Sequence, residues 1–262
     1  MKFCSISSGS SGNSVYVGSE KTHILIDVGL SGKKIQEGLT EINLTGNDIK
    51  AIFITHEHSD HIKGAGILSR KFNLPIYATA GTWKGMEKDL GKISEENIKV
   101  IDKNKDIELE DLLIHAYEIP HDANEPVGYS VISNNVKISV ATDIGHITEI
   151  IKENIKGSSA LLLEANHDEN MLKVGKYPYQ LKRRILGKFG HLSNETSGEL
   201  LAQILDDKLK YVLLGHLSQE NNFPELAYET VAGILKEKGV NVGVDLDLKM
   251  APRYNCSNLI KL

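Results

Sequence analysis

Six apolar stretches of this chain each run straight into an acid or a histidine: HILI into Asp27, AIFIT into His56, LLIHAYEIP into His121, KISVAT into Asp143, ALLL into Glu164 and KYVLLG into His216. Runs of this length, rich in Ile, Leu and Val, read as buried strands. The polar residue closing each one therefore sits at a strand's carboxyl end, where open α/β sheets place their sites. A chain patterned this way is constrained to be sheet-based, with its chemistry at the strand ends.

Further strands are expected at KFCSIS, SVYVGS, PIYA, VGYSVIS and VDLDLKM, with helices over 32–40, 61–72, 79–89, 146–156, 178–188, 195–207 and 224–238. In the 195–207 stretch Leu200, Leu201, Ile204 and Leu205 make one apolar stripe, as a sheet-packed helix requires. Early strands follow one another as hairpins and later ones alternate with helices, which predicts mixed sheets with helices packed outside. No linker, repeat or compositional shift marks a boundary, so residues 1–262 are expected to form a single domain.

The densest chemistry lies in ITHEHSDHIKG, residues 54–64. On an irregular turn after a strand, His56 and His58 can face one point. Asp60 is expected as a helix N-cap, with His61 opening the helix and facing a second point. Two cations need such a divided set. His121 would complete the site of His56 and His58, and His216 that of Asp60 and His61, with Asp143 bridging. Mixed imidazole and carboxylate donors suit two divalent ions, zinc first and manganese or iron as alternatives. A solvated charged turn is the bland alternative, but four ligand types at this spacing after a strand make a demanding coincidence. A purely structural metal is disfavoured because such sites favour cysteine and are closed by four protein ligands. Only Cys4 and Cys256 exist, at opposite ends, with no metal-binding partner near either in sequence.

The order Asp27, His56-x-His58-x-Asp60-His61, His121, Asp143, His216 resembles the five motifs of the metallo-β-lactamase superfamily, over essentially the whole chain. The resemblance implies an αββα sandwich, two mixed β-sheets with helices on the outer faces, and a dinuclear metal site. It also implies that Asp27 is not a ligand but orients the metal-binding turn.

Membership alone does not choose a reaction, since lactams, thioesters, lactones and phosphodiesters are all cut on this fold. Asp143 stands where many true β-lactamases carry cysteine, and H-x-H with no fused flavin domain disfavours the diiron oxygen reductases. GHLSQENN around His216, EANHD from Glu164 and GHLSN around His191 resemble segments of tRNase Z and related nucleases. Only 22 positions separate His121 from Asp143, too few for a tRNA-gripping arm, and 73 separate Asp143 from His216, too few for a β-CASP domain. With the opening SSGSSGNS, these features look most like the compact YycJ/WalJ branch, read as exonucleases on double-stranded DNA.

Phosphodiester chemistry fits the residues independently. A hydroxide bridging two metals attacks phosphorus while the metals neutralise the non-bridging oxygens. Asp60 can orient it and take its proton, His191 is the candidate to donate to the phosphoryl oxygens or to protonate the leaving oxygen, and Glu164 is the candidate to hold that imidazole. Ser193, Asn194, Ser218, Asn221 and Asn222 are weaker candidates for substrate contact. So are Lys182, Arg183 and Arg184, in a 170–190 run that holds six cations and no acid within a chain of net charge −5. A solvated amphipathic face is an equal reading of that run. DNA is thus the expected partner. A small-molecule thioester or lactone hydrolase of the glyoxalase II type and a non-enzymatic metal-binding scaffold stand as alternatives. The chain has no run of about 18 apolar residues and no secretory signal, so a cytoplasmic, membrane-free protein is expected.

Overall fold

Strands form where β-branched and aromatic residues run together. In the computed structural model, which describes residues 1–262, β1 (Lys2–Ser7), β2 (Ser14–Gly18) and β3 (His23–Ile26) pair antiparallel in succession. The chain then switches to alternation: α1 (Gly32–Glu41), β4 (Ala51–Phe53), α2 (Ser59–Ile62), α3 (Ala65–Phe72), β5 (Ile76–Thr79), α4 (Ala80–Leu90) and β6 (Ile98–Ile101). Strands β3 to β6 are parallel neighbours. Three antiparallel strands follow, β7 (Ile107–Leu109), β8 (Leu112–Glu118) and β9 (Val127–Ser133).

The rest alternates again: β10 (Val136–Ala141), α5 (Glu149–Ile155), β11 (Ala160–Glu164), α6 (Glu169–Val174), α7 (Tyr179–Ile185), α8 (Asn194–Ile204), β12 (Tyr211–Gly215), α9 (Pro224–Glu237) and β13 (Asp247–Met250). Strands β10 to β13 are parallel neighbours, and β14 (Ile260–Lys261) pairs antiparallel with β1. The chain divides into two compact units. The first comprises Met1–Glu118, Ala123–Val136 and Pro252–Leu262, and the second Ile119–Asp122 and Lys137–Ala251.

In the first unit, Ile35 and Leu39 of α1, Leu68 of α3, and Trp83, Met86 and Leu90 of α4 bury the helical stripes on Leu25, Ile52 and Ile76 of the sheet. In the second, Leu161 to Leu163 and Val212 to Leu214 are buried without alternation, as parallel strands covered on both faces must be. Ala227, Val231 and Leu235 recur every four residues along α9 and turn inward. No helix is long and apolar enough to cross a membrane.

Differences from the sequence expectation have local causes. The helix expected over 61–72 breaks at Gly64, whose N–H donates to the Val28 carbonyl and where a Cβ would lie 2.3 Å from the Leu30 carbonyl oxygen. Asp60 is not the N-cap: His58 holds that position and Asp60 lies inside the first turn. The helix expected over 146–156 starts at Glu149, where Thr148 caps it, and those expected to reach 188 and 207 stop at Ile185 and Ile204. Strands β6, β7 and β14 and helix α6 are additional elements.

Candidate metal centre

In the first unit, the turn after β4 is built around Asp27. This residue adopts a left-handed backbone conformation at the end of β3 (φ 60°), which costs a non-glycine residue energy and persists only where contacts over-determine it. Those contacts are present. The Asp27 carboxylate accepts from the Thr55 backbone N–H and hydroxyl, both at 2.8 Å, and lies 2.7 Å from His61 Nδ1. Holding the Nδ1 proton leaves His61 Nε2 as the lone-pair nitrogen, the state a metal ligand needs. The Asn13 amide, 3.1 Å from that Nε2 and 3.3 Å from an Asp60 carboxylate oxygen, points the same way.

Thr55 acts a second time: its hydroxyl lies 3.0 Å from His56 Nδ1, so His56 Nε2 is turned outward, 3.0 Å from His58 Nδ1. Two imidazole nitrogens converging this closely suit a shared cation. The SSGSSGNS turn fastens the arrangement, because the Asn13 N–H donates to the Asp60 carbonyl at 2.8 Å. Gly29 packs so tightly there that a Cβ would lie 1.7 Å from the same oxygen.

The second unit repeats the device. Asp143 after β10 (φ 61°) and His216 after β12 (φ 56°) also adopt left-handed conformations. Glu164, at the end of β11 and fully buried, lies 2.8 Å from His191 Nδ1 and 2.9 Å from His216 Nδ1 through the same oxygen. Its other oxygen accepts from the Ile144 and Leu192 backbone N–H groups at 2.8 and 3.1 Å. Burial raises the Glu164 pKa, but the charge and hydrogen bonds of His191 and His216 outweigh it and hold the carboxyl below the ordinary range.

With Nδ1 engaged, His216 presents Nε2 at 3.4 Å from Asp143 Oδ1, and His121 Nε2 lies 3.8 Å from the same oxygen. His121 gives its Nδ1 to the Gly190 carbonyl at 3.1 Å, and burial pulls its pKa down, favouring the neutral ligand form. Asp143, Glu164, His191 and His216 each bring a ligand-type atom within 4.8 Å of the others. Carboxylates and a carbonyl on the back nitrogens, with the front nitrogens aimed at an aspartate, fit divalent metal ions.

Sequence reasoning missed two neutral residues. Thr55 links Asp27, His56 and His61, and the Asn166 amide donates to the His216 carbonyl at 2.8 Å. The only signal for Thr55 was its place between a strand and its histidine. The five neutral residues expected near the substrate are turned inward. Ser193 caps α8, Asn194 and Asn222 exchange amide bonds at 3.1 and 2.8 Å, and Ser218 Oγ accepts from the Asn221 N–H at 3.2 Å. They knit loops together and are buried. His167 is buried as well, its ring uncharged because burial above all lowers its pKa to about 4. In the cationic run Arg183 is exposed, Arg184 pairs with Asp122, and the Lys182 ammonium donates to the Lys173 carbonyl at 2.8 Å.

Every residue of the two clusters lies within the span of one family match. The family model described as metallo-beta-lactamase superfamily matches residues 8–216. The chain belongs to the metallo-β-lactamase superfamily. Within that superfamily it falls in the YycJ/WalJ branch. It is 41% identical over 243 residues to the exodeoxyribonuclease YycJ of Bacillus anthracis, covering 93% of this chain and 92% of that one. It is likewise 41% identical over 246 residues to the exodeoxyribonuclease WalJ of Streptococcus pneumoniae, covering 93% and 91%. Among solved structures, the metallo-β-lactamase fold protein YhfI from Bacillus subtilis superposes with a TM-score of 0.71 at 12% identity, over 98% of each chain. The fold is thus the α/β metallo-β-lactamase fold, with two mixed β-sheets and helices.

Proposed function

We infer that this chain is a metal-dependent hydrolase that cleaves phosphodiesters, acting as an exodeoxyribonuclease on double-stranded DNA. The observation carrying this reading is the bond between Glu164 and His191. A thiolate leaves a thioester unaided, its conjugate acid having a pKa near 8.5 on the scale of cysteine, whereas a sugar alkoxide is a far stronger base and needs a proton. An imidazole fixed by a buried carboxylate is a proton donor of the kind a phosphodiesterase needs. The two exodeoxyribonuclease relatives at 41% identity support DNA and the exonucleolytic mode.

The proposed ligands of two divalent ions are His56, His58, Asp60, His61, His121, Asp143 and His216, with zinc the first choice and manganese or iron able to substitute. When bound, such ions lower the pKa of water and neutralise charge on a phosphoryl group. Asp27 and Glu164 keep His61 and His216 in the ligating tautomer. Asp60 orients the attacking water and accepts its proton, while His191 hands its proton to the leaving oxygen. Glu164 stabilises the charged His191 before that transfer.

Metal-loaded protein should release nucleotides from end-labelled duplex DNA and turn over a thioester such as S-lactoylglutathione slowly or not at all. Brisk thioester hydrolysis without nucleotide release would replace this reading with a small-molecule hydrolase. Full metal occupancy with neither activity would favour a scaffold.

A further inference from the structure

Between Glu164 and His191 lies a segment the mechanism leaves without a role. Its backbone from Lys188 to His191 is pinned at several points. The Asp122 N–H donates to the Phe189 carbonyl at 3.2 Å, His121 Nδ1 bonds the Gly190 carbonyl, and His146 Nδ1 lies 2.8 Å from the Lys188 carbonyl. The His191 N–H donates to Ile185, closing the turn onto the end of α7. Despite this anchoring the Phe189 side chain stays 58% exposed, and Tyr179 at the start of α7 is 74% exposed. Packing explains neither. Arg183 lies over the Tyr179 ring at 5.9 Å, and Lys176, Arg183 and Lys188 are exposed cations without an ion-pair partner.

We propose that Phe189 and Tyr179, with Lys176, Arg183 and Lys188, form a docking platform for an unpaired DNA strand that leads its end to His191. This rests on the exodeoxyribonuclease reading and names its substrate surface. Aromatic faces that stack bases, interleaved with cations that track phosphates, are how proteins hold single strands without reading sequence. The charge is complementary: the 170–190 segment has six cations and no acid although the chain carries net −5. Phe189 is two residues from His191, at most about 7 Å along the chain, so a base stacked on it belongs to a nucleotide near the reacting phosphate. A bilayer is the poorer occupant, because α7 spans only seven residues and the Phe189–Gly190 turn that follows it is tethered to His121 and Asp122.

The test is fluorescence anisotropy with a labelled 12-nucleotide single strand in chelator, on the full chain. Phe189→Ala should weaken binding between about fivefold and a hundredfold, the range for removing one aromatic ring from under a base. Phe189→Trp should bind like wild type. Arg183→Ala with Lys188→Ala should lower the slope of log affinity against log salt by about 0.7 for each phosphate no longer neutralised. Circular dichroism and thermal midpoints verify folding of each variant. Wild-type affinity and salt slope in every variant, with wild-type protein still degrading duplex DNA, would overturn the platform and leave the nuclease reading standing. Wild-type protein that neither binds nor degrades DNA overturns both. Loss of binding to phosphatidylserine vesicles, with oligonucleotide binding intact, would reassign the segment to a membrane surface.

Discussion

Asp27 grips His61 across 2.7 Å in the buried interior of the first unit, from a backbone conformation that aspartate seldom adopts. The 2.9 Å contact of Glu164 with His216 does the same in the second unit. In each, a carboxylate at the end of one strand fixes the tautomer of a histidine contributed by another segment. Preparing an imidazole in this way raises its basicity toward metal and removes the freedom to turn away.

Asp27→Asn should therefore lower metal affinity by about 10–100-fold, the usual effect of losing such a partner. Competition against a chromogenic zinc chelator measures it directly. Unchanged affinity would show that His61 needs no carboxylate behind it.

Glu164→Gln should reduce kcat on DNA by about 10²–10⁴, the range of a general acid's contribution. The sharper readout is leaving-group dependence. Aryl phosphodiesters with good leaving groups should lose less activity than those with poor ones in both Glu164→Gln and His191→Ala. Equal losses across the series would remove His191 from the role of proton donor.

The features that carried most information were apolar runs ending abruptly in acid or imidazole, since Asp27, His56, His121, Asp143, Glu164 and His216 all announce themselves by breaking a strand pattern. Thr55 and Asn166 were silent because a neutral hydroxyl or amide leaves no mark in charge or periodicity. Strand β6 is only four residues long, IKVI, and an apolar run of that length does not by itself fix a strand. Helix α6 is too short, at six residues, to show a period. The meeting of Glu164 with His191, 27 positions apart, depends on parallel pairing of β10, β11 and β12, which local sequence does not encode. The inward turn of Asn194, Asn221 and Asn222 was missed for the opposite reason. Polar residues near a site look available until their buried partners are seen.

Burial gives His167 a pKa of about 4 in place of its ordinary 6.5. The unfolded chain takes up a proton there that the native one refuses, so stability present above pH 6.5 is lost as pH falls toward 4. The full loss is up to about 3 kcal/mol. His167→Leu should flatten the change in urea midpoint between pH 7 and pH 4.5, while a slope as steep as wild type would place the acid sensitivity elsewhere.

Gly29→Ala forces a Cβ into the Asp60 carbonyl at 1.7 Å. The expected cost is about 1–3 kcal/mol of stability, typical of overpacking, accompanied by reduced metal content. Thermal melts and elemental analysis on the same sample check both.

The most direct test uses protein stripped by chelator and reloaded with zinc or manganese, on duplex DNA labelled at one end, with Asp60→Ala alongside. The expected result is stepwise release of nucleotides that vanishes on stripping, returns on reloading and is absent in Asp60→Ala. Release that survives complete metal removal, or persists in Asp60→Ala, would contradict a metal-dependent nuclease built on these ligands.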